Sequence, residues 1–329
     1  MAAPAMPFRT KAAPLDDGAD LAEVLVIKLG ALGDVVQALG PLAAIRDHHA
    51  KARITLLTTE PYAEFLAASG LVDDVWLDGK PKAWNLLRLM HLRAGLRSRP
   101  FGRVYDLQTS DRSSSYFRLF ASPKPQWSGI AKGCSHPHDN PKRDLMHTLE
   151  RQGQQLLYAG IVYTPKPSLD WAEADLSRFD LPAPYVLLVP GGAPHRPEKR
   201  WPGERYGALA GFLAARGLTP VVLGTAAEAQ AAAEIAEACP TARDLTGQTS
   251  LLEIAVLARG AAGAVGNDTG PMHIAAVAGC PCLTLYSRAS DPKLCGQRGP
   301  RARVLRVDDL ADLQATTVMG MLEEMGVNS

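Results

Sequence analysis

The chain of 329 residues has almost no excess of either charge: 35 Lys and Arg face 34 Asp and Glu, for a formal net charge of +1. Nucleic-acid binding normally needs a clear basic excess, so the composition argues against such a partner. A disulfide framework is also missing. The 5 cysteines are odd in number, no CxxC pair occurs, and Cys280, Cys282 and Cys295 crowd toward one end, which suits a reducing compartment. No long apolar run is present. The most apolar stretch, Ile274 to Tyr286, is too short to span a bilayer and is broken by Gly279 and Pro281. The first twenty residues hold no signal-peptide core, and residues 1–22 read as a disordered extension. Internal repeats are absent. These features predict a cytoplasmic protein.

What remains is an ordinary globular composition, 47% hydrophobic and 21% charged. The 29 glycines and 25 prolines imply many element ends. Short β-rich runs at Val24–Lys28, Arg53–Thr58, Val75–Leu77 and Val104–Leu107 alternate with helical patterns, including one over Ala83–Leu96. Between Asp111 and Arg143 the pattern weakens to loops with one short helix, and Asp144–Gly160 is helical again. After the proline-bearing stretch Thr164–Trp171, alternation restarts with Tyr185–Val189 and runs to a last amphipathic helix over Asp309–Met325. Such alternation predicts α/β architecture with mostly parallel sheets. The expected layout is a Rossmann-like domain over 23–163, a linker over 164–171 and a second Rossmann-like domain over 172–329, facing each other across a cleft.

Three places can carry chemistry. The first is Gly30-Ala31-Leu32-Gly33-Asp34, between the first strand and helix. Its glycines let a ligand approach the backbone, and a helix start favours anions. Lys28 stands where a dinucleotide fingerprint needs its first glycine. Asp34 also suits the plainer role of helix N-cap. The second is Pro190–Pro202, PGGAPHRPEKRWP, which brings His195, Arg196, Lys199 and Arg200 to a strand's C-terminal edge, or forms a solvated basic loop. The third is Gly266–His273, GNDTGPMH. Pro271 fits a first helical turn, the amides of Met272 and His273 would face a phosphate, and Asp268 and Thr269 could accept from a sugar.

The stretches KLGALGDVVQALGPL, PEKRWP, DLTGQTSLLEIA and GNDTGPMHIAAVAG resemble the lipopolysaccharide heptosyltransferase family, from about Val24 to the C-terminal region. The resemblance implies a GT-B fold, with the active site between two Rossmann-like domains. It implies inverting transfer of a heptose from ADP-heptose to a lipid-linked core sugar. By the same resemblance Asp34 matches the catalytic base and Lys199 the lysine on the donor pyrophosphate. Asp268, Thr269, Gly270 and His273 match the donor-binding stretch, and Glu228 an acidic residue near the adenosine ribose. His147 and Arg151 match a pattern of unassigned role. Asp111 and His147 stand in reserve on the acceptor side, and Gly30 and Gly33 form the glycine loop.

Inverting transfer needs a base on the acceptor hydroxyl and positive charge on the leaving diphosphate. Lys199 and a helix end can supply that charge, and no DxD-like pair stands beside the donor motif, so no metal or other cofactor is expected. Cys134, His136, His138 and His147 fit no standard zinc spacing. An NAD-linked oxidoreductase, with Glu60 as its ribose-binding acid, and a catalytically silent sugar-nucleotide-binding protein are the alternatives. A lipid-linked acceptor further implies peripheral contact with the inner membrane, with Arg88, Arg93, Arg97, Arg99 and Lys124 as candidate contacts.

Overall fold

The computed structural model describes residues 21–81, 85–192 and 196–328. The extension over 1–20, His195 and the start of the helix expected at Ala83 lie outside the described residues. The first half runs β1 (Glu23–Ile27), α1 (Leu32–Gln37), α2 (Leu39–His48), β2 (Arg53–Thr58), α3 (Glu60–Ala67), β3 (Asp74–Leu77), α4 (Leu86–Arg97), β4 (Arg103–Asp106), α5 (Asp111–Tyr116), β5 (Gln126–Gly129), β6 (His136–Pro137) and α6 (Thr148–Tyr158). The second runs β7 (Tyr185–Val189), α7 (Gly203–Ala214), β8 (Thr219–Val222), α8 (Ala229–Ala238), β9 (Arg243–Asp244), α9 (Leu251–Gly260), β10 (Gly263–Asn267), α10 (Gly270–Val277), β11 (Cys282–Tyr286), α11 (Pro292–Cys295), β12 (Ala302–Arg306) and α12 (Ala315–Glu324).

Each half holds one parallel sheet, ordered β3-β2-β1-β4-β5-β6 and β12-β11-β10-β7-β8-β9. Counted from its own first strand, the second sheet has the same order as the first, the doubly wound arrangement expected from the alternation. The order reverses between β1 and β4 in one sheet and between β7 and β10 in the other. Loops at the C-terminal ends of these strands diverge and leave a crevice, where open α/β sheets bind ligands. β1 and β7 read as continuous apolar runs because helices cover both faces of a parallel sheet; VLVI of β1 and YVLLV of β7 are buried throughout.

Two departures from the sequence expectation lie between Asp111 and Gly160. The segment expected to be loop contains β5 and β6, four and two residues long. Trp127 on β5 is fully buried against Phe117 and Phe120, a packing partner that no local period announces. The helix expected from Asp144 starts only at Thr148. His147 caps it, its Nδ1 accepting from the Leu149 amide at 3.2 Å. The linker is pinned at several points. Arg259 donates to the carbonyls of Leu169 and Ala172, and Trp171 packs on Phe65 at 5.4 Å.

Candidate functional site

A cavity of about 660 Å³ opens between the two halves. Its size falls in the range of ligand pockets, about 300–1,000 Å³. Ala31, Leu32, Gly33, Asp34 and Gln37 line one wall. Lys199, Glu228, Asp268, Thr269, Gly270, Pro271 and His273 line the other. Of the candidate residues named from the sequence, Gly33, Asp34, Lys199, Glu228, Asp268, Thr269, Gly270, Pro271 and His273 thus meet at one place, at the facing switch points of the two sheets.

The first wall is built by the β1–α1 turn. Gly30 holds φ +122°, a conformation that side chains rarely adopt. Asp34 is not the N-cap. That position is Ala31, which makes no side-chain cap bond, and Asp34 sits in the first turn of α1. Its carboxylate accepts no hydrogen bond among the described residues, and it borders the cavity.

Gly33 admits a side chain from the other half rather than a ligand. A Cβ there would come within 2.6 Å of His273 Cδ2. Gly270 is the reciprocal case, since its Cβ would lie 2.6 Å from Leu32 Cβ. The starts of α1 and α10 therefore meet across the cleft. Gln37 completes the seam by donating from Nε2 to His273 Nδ1 at 3.0 Å. Gln37 is three residues beyond Asp34 on one helix face, a spacing that could have singled it out.

The second wall centres on a carboxylate. Asp268 Oδ2 accepts from Lys199 Nζ and from Ser290 Oγ, both at 3.0 Å. Its Oδ1 lies 2.9 Å from the Tyr286 hydroxyl and 3.5 Å from Gln297 Nε2. Burial pushes the Asp268 carboxyl up, but the bond and charge of Lys199, helped by Tyr286 and Ser290, outweigh it and hold it below the usual range. Protein donors thus occupy both oxygens of the carboxylate. Tyr286, Ser290 and Gln297 had no sequence signal; Tyr286 ends β11, and the other two follow it. Asn267, fully buried, ties the crevice floor together. Its Nδ2 donates to the carbonyls of Pro190 and Gly191, while its Oδ1 accepts from Trp201 N.

The basic loop resolves into unlike residues. Arg196 donates to the Ala289 carbonyl and Arg200 to the Gly192 carbonyl, so Lys199 is the cation of the three that borders the cavity. At the start of α10 the Met272 amide is turned onto the Thr269 carbonyl at 3.2 Å. Thr269 is the N-cap and uses no side-chain cap bond. The amides open to an anion are therefore those of Thr269 and Gly270, one turn earlier than the sequence implies. Glu228 closes a capping box: Oε2 accepts from the amide and hydroxyl of Thr225, each at 2.8 Å. Cys295 also borders the cavity, its thiol pushed up to about 11 by burial.

Asp111 and His147 do not line this cavity. Asp111 is exposed at the start of α5. His147 is buried in the seam, where its Nε2 donates to the Gly296 carbonyl at 3.0 Å. Both ring nitrogens are engaged, and burial pushes its pKa below the ordinary value. Glu60 starts α3 and is exposed. The four residues weighed for zinc go separate ways: Cys134 toward the Gly129 carbonyl, His136 to Ser135, His138 to Gln154 and His147 to Gly296. Among the described residues no group of three His, Cys, Asp or Glu side chains is placed to hold a metal.

A second cavity of about 440 Å³ adjoins the first through Ala31, which lines both. Its wall includes Tyr62, Lys80, Gln108, Ser110 and Arg112, all from the first half.

His273 yields a pH prediction. Burial lowers its pKa to about 4, against the opposing charges of Asp268 and Asp34. Unfolded, the ring titrates near 6.5. Below that pH the unfolded chain takes up a proton that the folded one refuses, so stability falls as pH drops from 6.5 toward 4. Asp106, raised to about 6 by burial, acts with the opposite sign over roughly 4–6. Comparison with His273→Gln isolates the histidine. Roughly 2 kcal/mol of the stability change between pH 7 and pH 5 should disappear in the variant, read from urea midpoints. Identical pH slopes for the two proteins would refute the assignment.

Comparison with known proteins agrees with this architecture. Residues 89–322 match the model of Glycosyltransferase family 9 (heptosyltransferase). Lipopolysaccharide heptosyltransferase 2 of Escherichia coli (strain K12) is 32% identical over 176 residues, which are 50% of this chain and 48% of that protein. The chain therefore matches about half the length of this relative. Lipopolysaccharide heptosyltransferase 1 of Escherichia coli O18:K1:H7 (strain RS218 / NMEC) is 26% identical over 321 residues, 92% of this chain and 97% of that one. Among solved structures, the "Structure of E. coli ADP-heptose lps heptosyltransferase II" superposes with a TM-score of 0.77 at 22% identity, covering 92% and 98% of the two chains, a likeness of fold.

Proposed function

The chain belongs to glycosyltransferase family 9, the heptosyltransferase family, and from that premise we propose that it moves a heptose from ADP-heptose to a sugar of the lipopolysaccharide core, with inversion at the anomeric carbon. The observation that carries this reading is the shared cavity. One wall offers a carboxylate with no protein partner, Asp34, and the other a lysine held by Asp268 beside the start of α10.

In this reading Asp34 takes the proton from the acceptor hydroxyl as that oxygen attacks the anomeric carbon. The bond to the diphosphate breaks on the opposite side. Lys199 and the Thr269 and Gly270 amides take up the charge that develops on the leaving ADP. Asp268 positions Lys199. Glu228 lies on the donor wall, and its Oε1, unlike Oε2, is not committed to Thr225, so it is the group assigned to the adenosine ribose. Neutral His273 keeps the two helix starts together and adds no charge. The acceptor sugar approaches through the adjoining cavity, where Lys80 and Arg112 favour an anionic sugar. Lysine and amides take the place of a metal, so transfer should proceed in the presence of a chelator. The acceptor is lipid-linked and reached at the inner face of the inner membrane.

Mass spectrometry of products from a panel of sugar nucleotides, each with truncated lipopolysaccharide, tests the proposal. The expected result is an acceptor gaining one heptosyl residue from ADP-heptose alone, with ADP released, whether or not chelator is present. Transfer from a different nucleotide sugar, or none from ADP-heptose to any truncated core, would overturn it.

A further inference from the structure

Backbone strain collects around the second cavity. Among the described residues, three that carry side chains hold positive φ: Lys80 at 44°, Thr109 at 45° and Asp180 at 44°. Lys80 lines the second cavity, and Thr109 stands between Gln108 and Ser110, which line it too. For a β-branched residue such as Thr109 this conformation is a genuine outlier. Strain of this kind persists only where surrounding groups enforce it, and it clusters at working sites.

A buried carboxylate enforces each of these two residues. At the end of β4, Asp106 Oδ1 accepts from the Thr109 amide at 3.0 Å. Just beyond β3, Asp78 Oδ1 accepts from the Lys80 amide at 2.8 Å. Asp106 is fully buried and Asp78 nearly so. Further bonds brace both loops. Arg143 donates to the Thr109 hydroxyl at 3.1 Å, Gln108 Oε1 accepts from the Leu29 amide at 2.9 Å, and the Tyr116 hydroxyl donates to Asp78 Oδ2 at 2.7 Å. Arg112 donates to the Pro81 carbonyl at 3.0 Å and ties α5 to the loop after β3. Stability does not account for Asp106. Burying a carboxylate is costly, and its Oδ2 has no hydrogen bond among the described residues. What its Oδ1 secures is the course of one short loop.

We propose that Asp78 and Asp106 are positioning residues of the acceptor cavity, each fixing a left-handed neighbour so that Lys80, Gln108 and Ser110 face the incoming sugar before it binds. Neither carboxylate lines that cavity, so each acts through the loop it holds. The proposal rests on the placement of the acceptor in the second cavity. Without its carboxylate, a residue that carries a side chain leaves the left-handed region, which it disfavours. Only the fraction of molecules with the loop in place then binds, and apparent affinity drops by that fraction. Glycine takes positive φ freely, so glycine at position 109 makes the Asp106 carboxylate dispensable. A merely structural carboxylate would allow no such rescue.

Amide hydrogen exchange over 107–110, together with steady-state kinetics on truncated lipopolysaccharide, tests this. Asp106→Ala should speed exchange in that loop and raise the acceptor KM about 5–30-fold, at wild-type ADP affinity and donor KM. Adding Thr109→Gly should recover most of the acceptor KM, a non-additive result. Asp106→Asn, whose amide oxygen can still accept from Thr109, should lose less than alanine. If Asp106→Ala does not fold, Arg143→Ala takes its place, because Arg143 is only partly buried. It should raise the acceptor KM when position 109 is threonine and leave it unchanged when that position is glycine, which has no hydroxyl to hold. Unchanged exchange in Asp106→Ala, or a KM increase that Thr109→Gly does not relieve, would overturn the proposal. Lys80→Gln with Arg112→Gln tests the placement of the acceptor separately. If that pair raises the acceptor KM while Asp106→Ala leaves it unchanged, the placement stands and the positioning role is lost. If neither changes it, the placement fails and the proposal fails with it.

Discussion

Asp34→Asn should lower turnover by about 10²–10⁴-fold, the usual worth of a positioned general base, while leaving the fold and the nucleotide site intact. Asparagine matches the size of aspartate but cannot take up a proton. The substitution removes no hydrogen bond, because Asp34 is not the cap of α1 and its carboxylate has no partner among the described residues. What remains to lose is the favourable interaction of a carboxylate with a helix start, about 0.3–1 kcal/mol, so the melting temperature should move by about 2 °C at most. ADP affinity should stay near wild type, since Lys199, Asp268 and the start of α10 are untouched. More donor or acceptor should not restore the rate. Steady-state kinetics, with ADP titration by calorimetry, measures all three quantities. An Asp34→Asn enzyme with near-normal turnover would remove Asp34 from the mechanism. A matching loss of ADP affinity would make it a donor ligand instead.

Lys199→Ala should act on binding and on chemistry together. A hydrogen bond between charged groups contributes about 1.5–3 kcal/mol, so ADP affinity should fall roughly 10–100-fold. Charge on the diphosphate grows as the glycosidic bond breaks, and losing one preorganised donor to such charge costs about 10²–10³ in turnover. The structure adds a sharper expectation. Without Lys199, the largely buried Asp268 carboxylate is left without its cation and faces the diphosphate as a like charge. Adding Asp268→Asn to Lys199→Ala should therefore recover part of the lost ADP affinity, a non-additive result in a double-mutant cycle. If Asp268 instead bound the sugar directly, the two losses would add. Melting temperatures of all three variants separate ligand effects from the cost of breaking a buried pair.

Much of the fold was legible because its signals are local. Val24–Ile27 and Tyr185–Val189 are apolar over their whole length, as strands buried on both faces must be. Pro271 after Thr269-Gly270 announces a helix start at the place where α10 begins. Signals failed where a short segment takes its structure from neighbours. Gln126–Gly129 has no period to read, and it is a strand because β4 pairs with it and the aromatic cluster buries Trp127. At the site, most residues singled out from the sequence line one cavity, and several have protein partners that the sequence does not show. Gly33 reads as room for a ligand and Gly270 as part of a donor-binding stretch, and each makes room for a side chain of the opposite half. Asp268 reads as a sugar acceptor, and four protein groups already surround it. His147 reads as a spare base, and it straps α6 to Gly296.

By itself, then, the amino-acid sequence determined the α/β alternation, the family, and the three loops at strand ends from which the crevice is made. Each of these is written in a run of five to fifteen neighbouring residues, where hydrophobic period and turn chemistry act. Tertiary structure alone decided which side chain holds which. Lys199 meets Asp268 across 69 positions and Gln37 meets His273 across 236. It also decided that one face of α4 stays uncovered while the other is packed. A hydrogen bond depends on a few tenths of an ångström, and residues this far apart come to that distance only when both sheets have formed and the two helix starts have closed on one another.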